Sequence, residues 1–338
     1  MNRLGCIITL SVLAIGLMTG CTSPDRDLTV KQPSLASPSP TATTKPNAIT
    51  TPSVSSKDTI IQQFQLAAGK AKEAREVIPF VDTNIGQLDA ATADLLFHEL
   101  EQFYDQHIPS LNANFKQMLS QPGTSEKLND LGYPMDFNNI KKDETLKQWL
   151  LHQKEGKLAL DSQQGDFYWR VDYEALRKTY SKLLSVETQD YLSLRATEDN
   201  QRFSSDGSLK ITRTELGERI IAAESYLTKY TKGVHKPVVT TLYQDYMKEY
   251  VQNYRYDAID ETTMKLLPEV KKSYEQFVKQ HAATKSGKLV QDYLTLINQN
   301  KDVIYNPGKK GESLIGNPKD NISAFWESLN SRISQQFQ

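Results

Sequence analysis

Five histidines are the first side chains to weigh for chemistry: His98, His107, His152, His235 and His281. No two stand four residues apart, the spacing that sets two imidazoles on one helical face as metal ligands. The stretch FHELEQFYDQH carries His98, Glu99 and His107, but nine residues separate the histidines, half a turn out of phase on a helix. No glutamate precedes a histidine by three residues, so the carboxylate–histidine signature of di-iron bundles is missing. No serine sits in a G-x-S-x-G elbow, and no Ser-x-x-Lys exists to accompany the KSG at 285–287. NPGKKGES lacks the spacing of a phosphate-binding loop. A calcium loop at TEDNQRFSSDGSL would put arginines where oxygen ligands belong. The expectation is no cofactor, no metal site and no catalytic residue.

Two other groups remain. Asp257, Asp260 and Glu261 follow a tyrosine-rich stretch, and glycan cleavage uses paired carboxylates near aromatics. Acidic residues just ahead of a helix are also ordinary capping chemistry, which is the preferred account. Within TLYQDYMKEYVQNYRYD, residues Tyr243, Tyr246, Tyr250 and Tyr254 fall within about 80° of one another on a helix. Such a stripe, if exposed, could stack on sugars or grip a polypeptide. At helical spacing it more often forms a helix interface. These four tyrosines are the candidate partner-binding residues. Basic and acidic residues nearly balance, 40 against 41, with no basic patch, so nucleic acid is not expected as a partner.

The elements that carry these residues are mainly helical. Apolar positions Ile60, Ile61, Phe64, Ala67, Ala68 and Ala71 recur every three or four residues. Helices are predicted over 90–106, from Pro109 to about Ser120, and over 143–154 with Gly156 as a stop. In KLALDSQQGDFYWRVDY, Phe167, Trp169, Val171 and Tyr173 alternate with polar residues, which predicts one β-hairpin over 157–173. Two strands alone are marginal in water, so the hairpin must pack on a helix. Thr212 and Glu215 fit a capping box, opening a helix to about Thr231. Further helices are predicted from Pro237 to about Tyr254, from Pro268 to about Ala283 and from Ser286 to Asn300. A last helix, capped by Asn317-Pro318, carries the stripe Ile322, Phe325, Trp326, Leu329 and Ile333, expected to dock into the bundle. The fold class expected is mainly α, an antiparallel helical bundle or stacked helical hairpins with one β-hairpin insertion.

The amino terminus has a different character. Arg3 precedes an uncharged run, Leu4 to Gly20, the layout of a secretory signal peptide. Met18-Thr19-Gly20-Cys21 resembles the lipobox of bacterial lipoproteins, with methionine in place of the usual leucine. The resemblance implies cleavage before Cys21, a diacylglyceryl thioether on that cysteine, and anchorage to a membrane on the extracytoplasmic side. Cleavage would leave no thiol except the lipidated one, because Cys6 and Cys21 are the only cysteines. Residues 22–56 hold 20 Ser, Thr or Pro in 35 positions and no aromatic residue. This composition predicts a disordered tether of roughly 30 to 100 Å reach. The expected organisation is a signal peptide (1–20), lipidated cysteine and tether (21–56), a helical region (57–156), the hairpin (157–173) and a second helical region (174–338).

SYLTKY and QDYM (225–230, 244–247) recur as SYEQFV and QDYL (273–278, 291–294). AAESYLTKYTKG is similar to the end of a first helix in tetratricopeptide-like proteins, with Thr231 where a proline is usual. That resemblance implies a protein-binding scaffold and carries no functional residue over. Taken together, the sequence points to an envelope lipoprotein that binds or scaffolds an envelope protein or glycan. The alternative is an envelope enzyme acting on glycan or peptide through a carboxylate site that the sequence does not localise.

Overall fold

The computed structural model describes residues 56–337 apart from 133, 134, 206, 253, 254, 310, 312 and 313. Cys21, the signal-like run, nearly all of the tether and Tyr254 therefore lie outside the described residues. Those residues belong to one compact unit, Ser53–Gln338. Helix α1 (Ser56–Ala68) is followed by the short α2 (Ile78–Asn84) and by the long α3 (Ala90–Leu119). Next come α4 (Thr124–Asn129), α5 (Glu144–Glu155) and the hairpin β1 (Leu158–Gln163) and β2 (Asp166–Val171). Helices α6 (Tyr173–Tyr180) and α7 (Val186–Asn200) lead to β3 (Ser204–Ser205) and β4 (Ser208–Leu209). The carboxy-terminal half holds α8 (Arg213–Lys229), α9 (Lys236–Val251), α10 (Arg255–Ala258), β5 (Ile259–Asp260) and β6 (Lys265–Leu266). It ends with α11 (Pro268–His281), α12 (Lys285–Gln299), β7 (Tyr305–Pro307), β8 (Ile315–Pro318) and α13 (Asp320–Gln336). No helix among the described residues is long and apolar enough to cross a membrane.

Capping chemistry sets many of these boundaries. Side chains of Asp89, Asp143, Asp172, Ser185, Thr212 and Thr284 accept hydrogen bonds from amides in the first turns of α3, α5, α6, α7, α8 and α12. Several expectations need correction. Pro109 does not open a new helix; it lies inside α3, where Tyr104, Leu111 and Phe115 are buried on either side of it. Packing on both flanks holds the helix together across the lost amide donor. Four two-stranded antiparallel hairpins form among the described residues, rather than one. Three have at least one strand of only two or three residues, too short to leave a period-two pattern. Asn317 and Pro318 close strand β8 instead of capping α13, whose N-cap is Lys319.

The long hairpin docks on α3 as its size requires. Asn112 of α3 accepts from the Trp169 amide at 2.7 Å and donates to the Trp169 carbonyl at 2.9 Å, a two-way clamp on β2. The Trp169 ring sits among Phe115, Phe137 and Trp149. Helices α8 and α9 form one hairpin and α11 and α12 another, with α8 touching both members of the second. The repeated tyrosines Tyr226 and Tyr274, and Tyr246 and Tyr293, are buried in both. α13 closes this layer, with Ile322, Phe325, Leu329 and Ile333 buried and the Trp326 indole donating to the Val251 carbonyl at 3.1 Å.

Candidate functional site

The tyrosine stripe on α9 is core. Tyr243, Tyr246 and Tyr250 are at most 1 % exposed. Each hydroxyl has an internal partner: Ser286 Oγ at 2.8 Å, Glu198 Oε1 at 2.6 Å and the Ser273 carbonyl at 3.2 Å. Their assignment as partner-binding residues is corrected accordingly: ring burial against α8, α11 and α12 takes the face a partner would need. Asp260, at the tip between β5 and β6, accepts from the amides of Thr262 and Thr263, which is turn-closing chemistry.

Two other places gather polar side chains. The first joins distant segments. His98 and Glu101 lie three residues apart on one face of α3. His235, at the N-cap of α9, comes in from 134 residues further along the chain. One potential ligand atom from each lies within 4.8 Å of the other two. His235 Nε2 is 2.8 Å from Glu101 Oε2, and His98 Nδ1 is 4.0 Å from that same oxygen. The other carboxylate oxygen, Oε1, accepts from the hydroxyls of Tyr191 at 2.8 Å and Tyr173 at 3.4 Å. The Tyr191 ring stacks on the His235 imidazole at 3.8 Å between centroids and 8° between planes. The turn before α9 comes close to α7 at Gly233, where a Cβ would stand 2.3 Å from Glu187 Oε1. Glycine there leaves His235 Nδ1 at 4.0 Å from that oxygen.

Burial alone would raise the Glu101 carboxyl, but the hydrogen bonds from His235 and Tyr191, with the His98 imidazole close by, bring it down to about 2. The same carboxylate raises His98, while burial pushes Tyr173 up to about 12. The cluster is closed on one side and open on the other: the side chains of Glu101 and His235 are 10 % and 6 % exposed, that of His98 37 %. Nδ1 of both histidines is buried without a hydrogen-bond partner.

Exposed apolar side chains occur in the segments that build it, beside charged ones such as Asp94 and Glu187. Seven large hydrophobic side chains are exposed among the described residues, and five of them are Leu95, Leu183, Val186, Val234 and Val238. They belong to three segments that meet at the cluster. The Ser185 amide donates to Asp94 at 2.9 Å, joining the start of α7 to α3, and Glu187 faces His235.

The second place is a cleft of about 880 Å³ between the long hairpin, α5 and the end of α7. Asp161, Asp172 and Asp199 converge there with Arg170 and Arg202. None of these carboxylates is idle. Asp161 takes Arg170 Nε at 2.8 Å and Arg202 Nη2 at 2.6 Å. Asp172 caps α6 through the Ala175 amide at 2.7 Å. Asp199 accepts from the Arg170 guanidinium and from the amides of Tyr173 at 2.5 Å and Glu174 at 3.3 Å. Burial nonetheless raises Asp199 to about 6, against the pull of Arg170 and the two amides.

In the sequence, His98 stands beside Glu99 and out of phase with His107, a trio set aside as a site; the structure brings His98 to Glu101 and His235 instead. His107 instead stacks on Phe103 at 5.2 Å. The local signal was His-x-x-Glu at 98–101, and nothing in the sequence links it to His235. Comparison with protein-family models, curated proteins and solved structures finds no match to the chain.

Proposed function

We propose that this protein is a lipid-anchored extracytoplasmic lipoprotein whose helical body binds an envelope protein. The lipobox-like run ending at Cys21 supports the anchor. The observation that carries the binding role is that five of the seven exposed large apolar side chains, Leu95, Leu183, Val186, Val234 and Val238, fall in the three segments joined at the cluster by the Ser185–Asp94 hydrogen bond and the approach of Glu187 to His235. Exposed apolar side chains scattered singly are ordinary, whereas a concentration of them is the usual character of a protein-contact surface. The enzymatic alternative has less support. Acid–base work on a glycan or peptide needs a carboxylate free to exchange a proton with substrate. Asp161 and Asp172 are instead committed to guanidinium groups and a backbone amide, and Asp199, the one raised to about 6, has both oxygens taken by Arg170 and the amides of Tyr173 and Glu174.

Two measurements test the reading. Metabolic labelling with a fatty-acid analogue should mark the protein and leave Cys21→Ser unlabelled; undiminished label on the variant removes the anchor. A photo-crosslinking amino acid at Val234 should capture a discrete envelope protein in cells. The same group at the exposed Lys288 of α12 should not. Equal capture from both positions removes the binding face.

A further inference from the structure

We propose that His98, Glu101 and His235 form a binding site for a divalent transition-metal ion of the zinc class. The inference is independent of the anchor and of the partner face. It rests on donor chemistry, geometry and the state of the unused nitrogens.

Two imidazoles and one carboxylate are a donor set that suits zinc and its neighbours. Calcium and magnesium call for six or more oxygens, and the cluster supplies one carboxylate. The geometry is compatible. Bonds of about 2.1 Å at tetrahedral angles place neighbouring ligand atoms about 3.4 Å apart. The observed separations of 2.8 Å and 4.0 Å lie on either side of that value. Two ligands come from one face of a single helix and the third from another element, so modest side-chain rotations bring all three to one centre.

The surroundings hold the ligands as metal sites do. A ligating histidine ordinarily turns its other nitrogen to a carboxylate, and a ligating carboxylate is itself hydrogen-bonded. His235 presents Nε2 to the cluster, and its Nδ1 lies 4.0 Å from Glu187 Oε1, a carboxylate within reach of a small ring movement though not hydrogen-bonded to it. Glu101 presents Oε2 to the histidines and keeps Oε1 on Tyr191 and Tyr173. Tyr191 also fixes the plane of the His235 ring by stacking. The second observation is the orphaned His98 Nδ1, buried at the atom and unpartnered, on the side chain nearest solvent. Buried nitrogens in folded proteins are generally paired, and an ion held against Oε2 would satisfy this one. Three protein ligands leave the fourth position of a tetrahedral ion open to water or to an oxygen or nitrogen of a partner.

The competing account is purely structural: His235 bridging Glu101 and Glu187, with His98 beside it. The full-length protein, stripped with a chelator and titrated with Zn²⁺ alone in a calorimeter, separates the two. The expected result is one tight equivalent. Co²⁺ should then give the intense visible absorption of a tetrahedral nitrogen–oxygen site. His98→Ala, at the exposed edge where the fold tolerates change, should weaken binding at least about 100-fold and abolish that spectrum. Tyr191→Phe should weaken it about 10-fold. His152→Ala, on α5, should change neither. No binding at micromolar Zn²⁺, or an unchanged affinity and cobalt spectrum in His98→Ala, overturns the proposal in favour of the structural bridge.

Discussion

Glu101 on α3 and Asp199 at the end of α7 are both shielded carboxylates, yet they are left in opposite states. Glu101 is brought down to about 2 and Asp199 is raised to about 6. The difference lies in what surrounds them. Glu101 faces two imidazoles and two tyrosine hydroxyls, groups that can give up or rearrange their protons. Asp199 faces Arg170 and two backbone amides, which cannot. The first cluster can therefore exchange its protons for an ion, whereas the second is a fixed bracket between the hairpin and α7. A concentration of carboxylates is by itself a poor guide to chemistry; the replaceability of its donors decides.

A third carboxylate gives the largest test of that contrast. Glu198 takes Arg219 and the Tyr246 hydroxyl, so it should behave as a bracket too. Tyr246→Ala removes a fully buried ring as well as that hydroxyl, and should cost about 3–5 kcal/mol in a denaturant titration. Tyr246→Phe leaves the ring and Arg219 in place and should cost only about 1–2 kcal/mol. A near-neutral Tyr246→Ala would mean that α9 is not packed as described.

Next in size is the bracket at the hairpin. Arg170→Ala strips one partner from both Asp161 and Asp199, and unpaired shielded carboxylates are strongly unfavourable. Because the Arg170 side chain is 25 % exposed, the expected loss is about 2–3 kcal/mol, below the range for a fully buried pair.

The same bracket has a pH signature. Arg170, Arg195, Asp172 and the amides of Tyr173 and Glu174 act on Asp199. Between its ordinary value near 3.8 and the folded value of about 6, the folded chain keeps a proton that the unfolded chain has released. Stability from this group is therefore greatest below that window and falls as pH rises through it, by at most about 3 kcal/mol. Asp199→Asn should remove this slope. An unchanged slope in the variant would place the titration elsewhere.

Much of this architecture was legible in sequence because it is local. Thr212 and Glu215 announce α8, Asp143 and Gly156 bound α5, and the alternation around Trp169 gives the long hairpin. The stretch 174–200 falls in the expected helical region, but its division into α6 and α7 is made by the tight turn at Ser181–Leu183, which no proline or glycine marks. The polar clusters were illegible for a different reason. His235 meets Glu101 across 134 residues and Arg202 meets Asp161 across 41. Only the way α3, α7, α9 and the hairpin pack brings such pairs together, and no periodicity records that. The tyrosine stripe shows the converse: its spacing was plain, but spacing alone does not say whether a face is turned inward.

In the metal-free protein, His98→Ala should cost less than about 1 kcal/mol, because a side chain more than a third exposed contributes little as an ion-pair partner. That small effect, set against the loss expected for Arg170→Ala, is the direct measure of a replaceable donor against a fixed one. Equal losses at the two positions would erase the distinction.

The smallest effects belong to the apolar rim. Val186 and Val234 are 58 % and 59 % exposed, so their side chains bury little surface on folding. Val186→Ser and Val234→Ser should each lie within about 0.5 kcal/mol of the parent in the same titration. If the rim receives a partner, the two changes should nonetheless reduce crosslinked capture in cells, because truncating a residue at the centre of a contact acts on the complex and not on the free fold. A stability loss well above that band would show that these valines are seated against the chain itself. These side chains would then be part of the core's edge, and the open side of the cluster would lose the partner proposed for it.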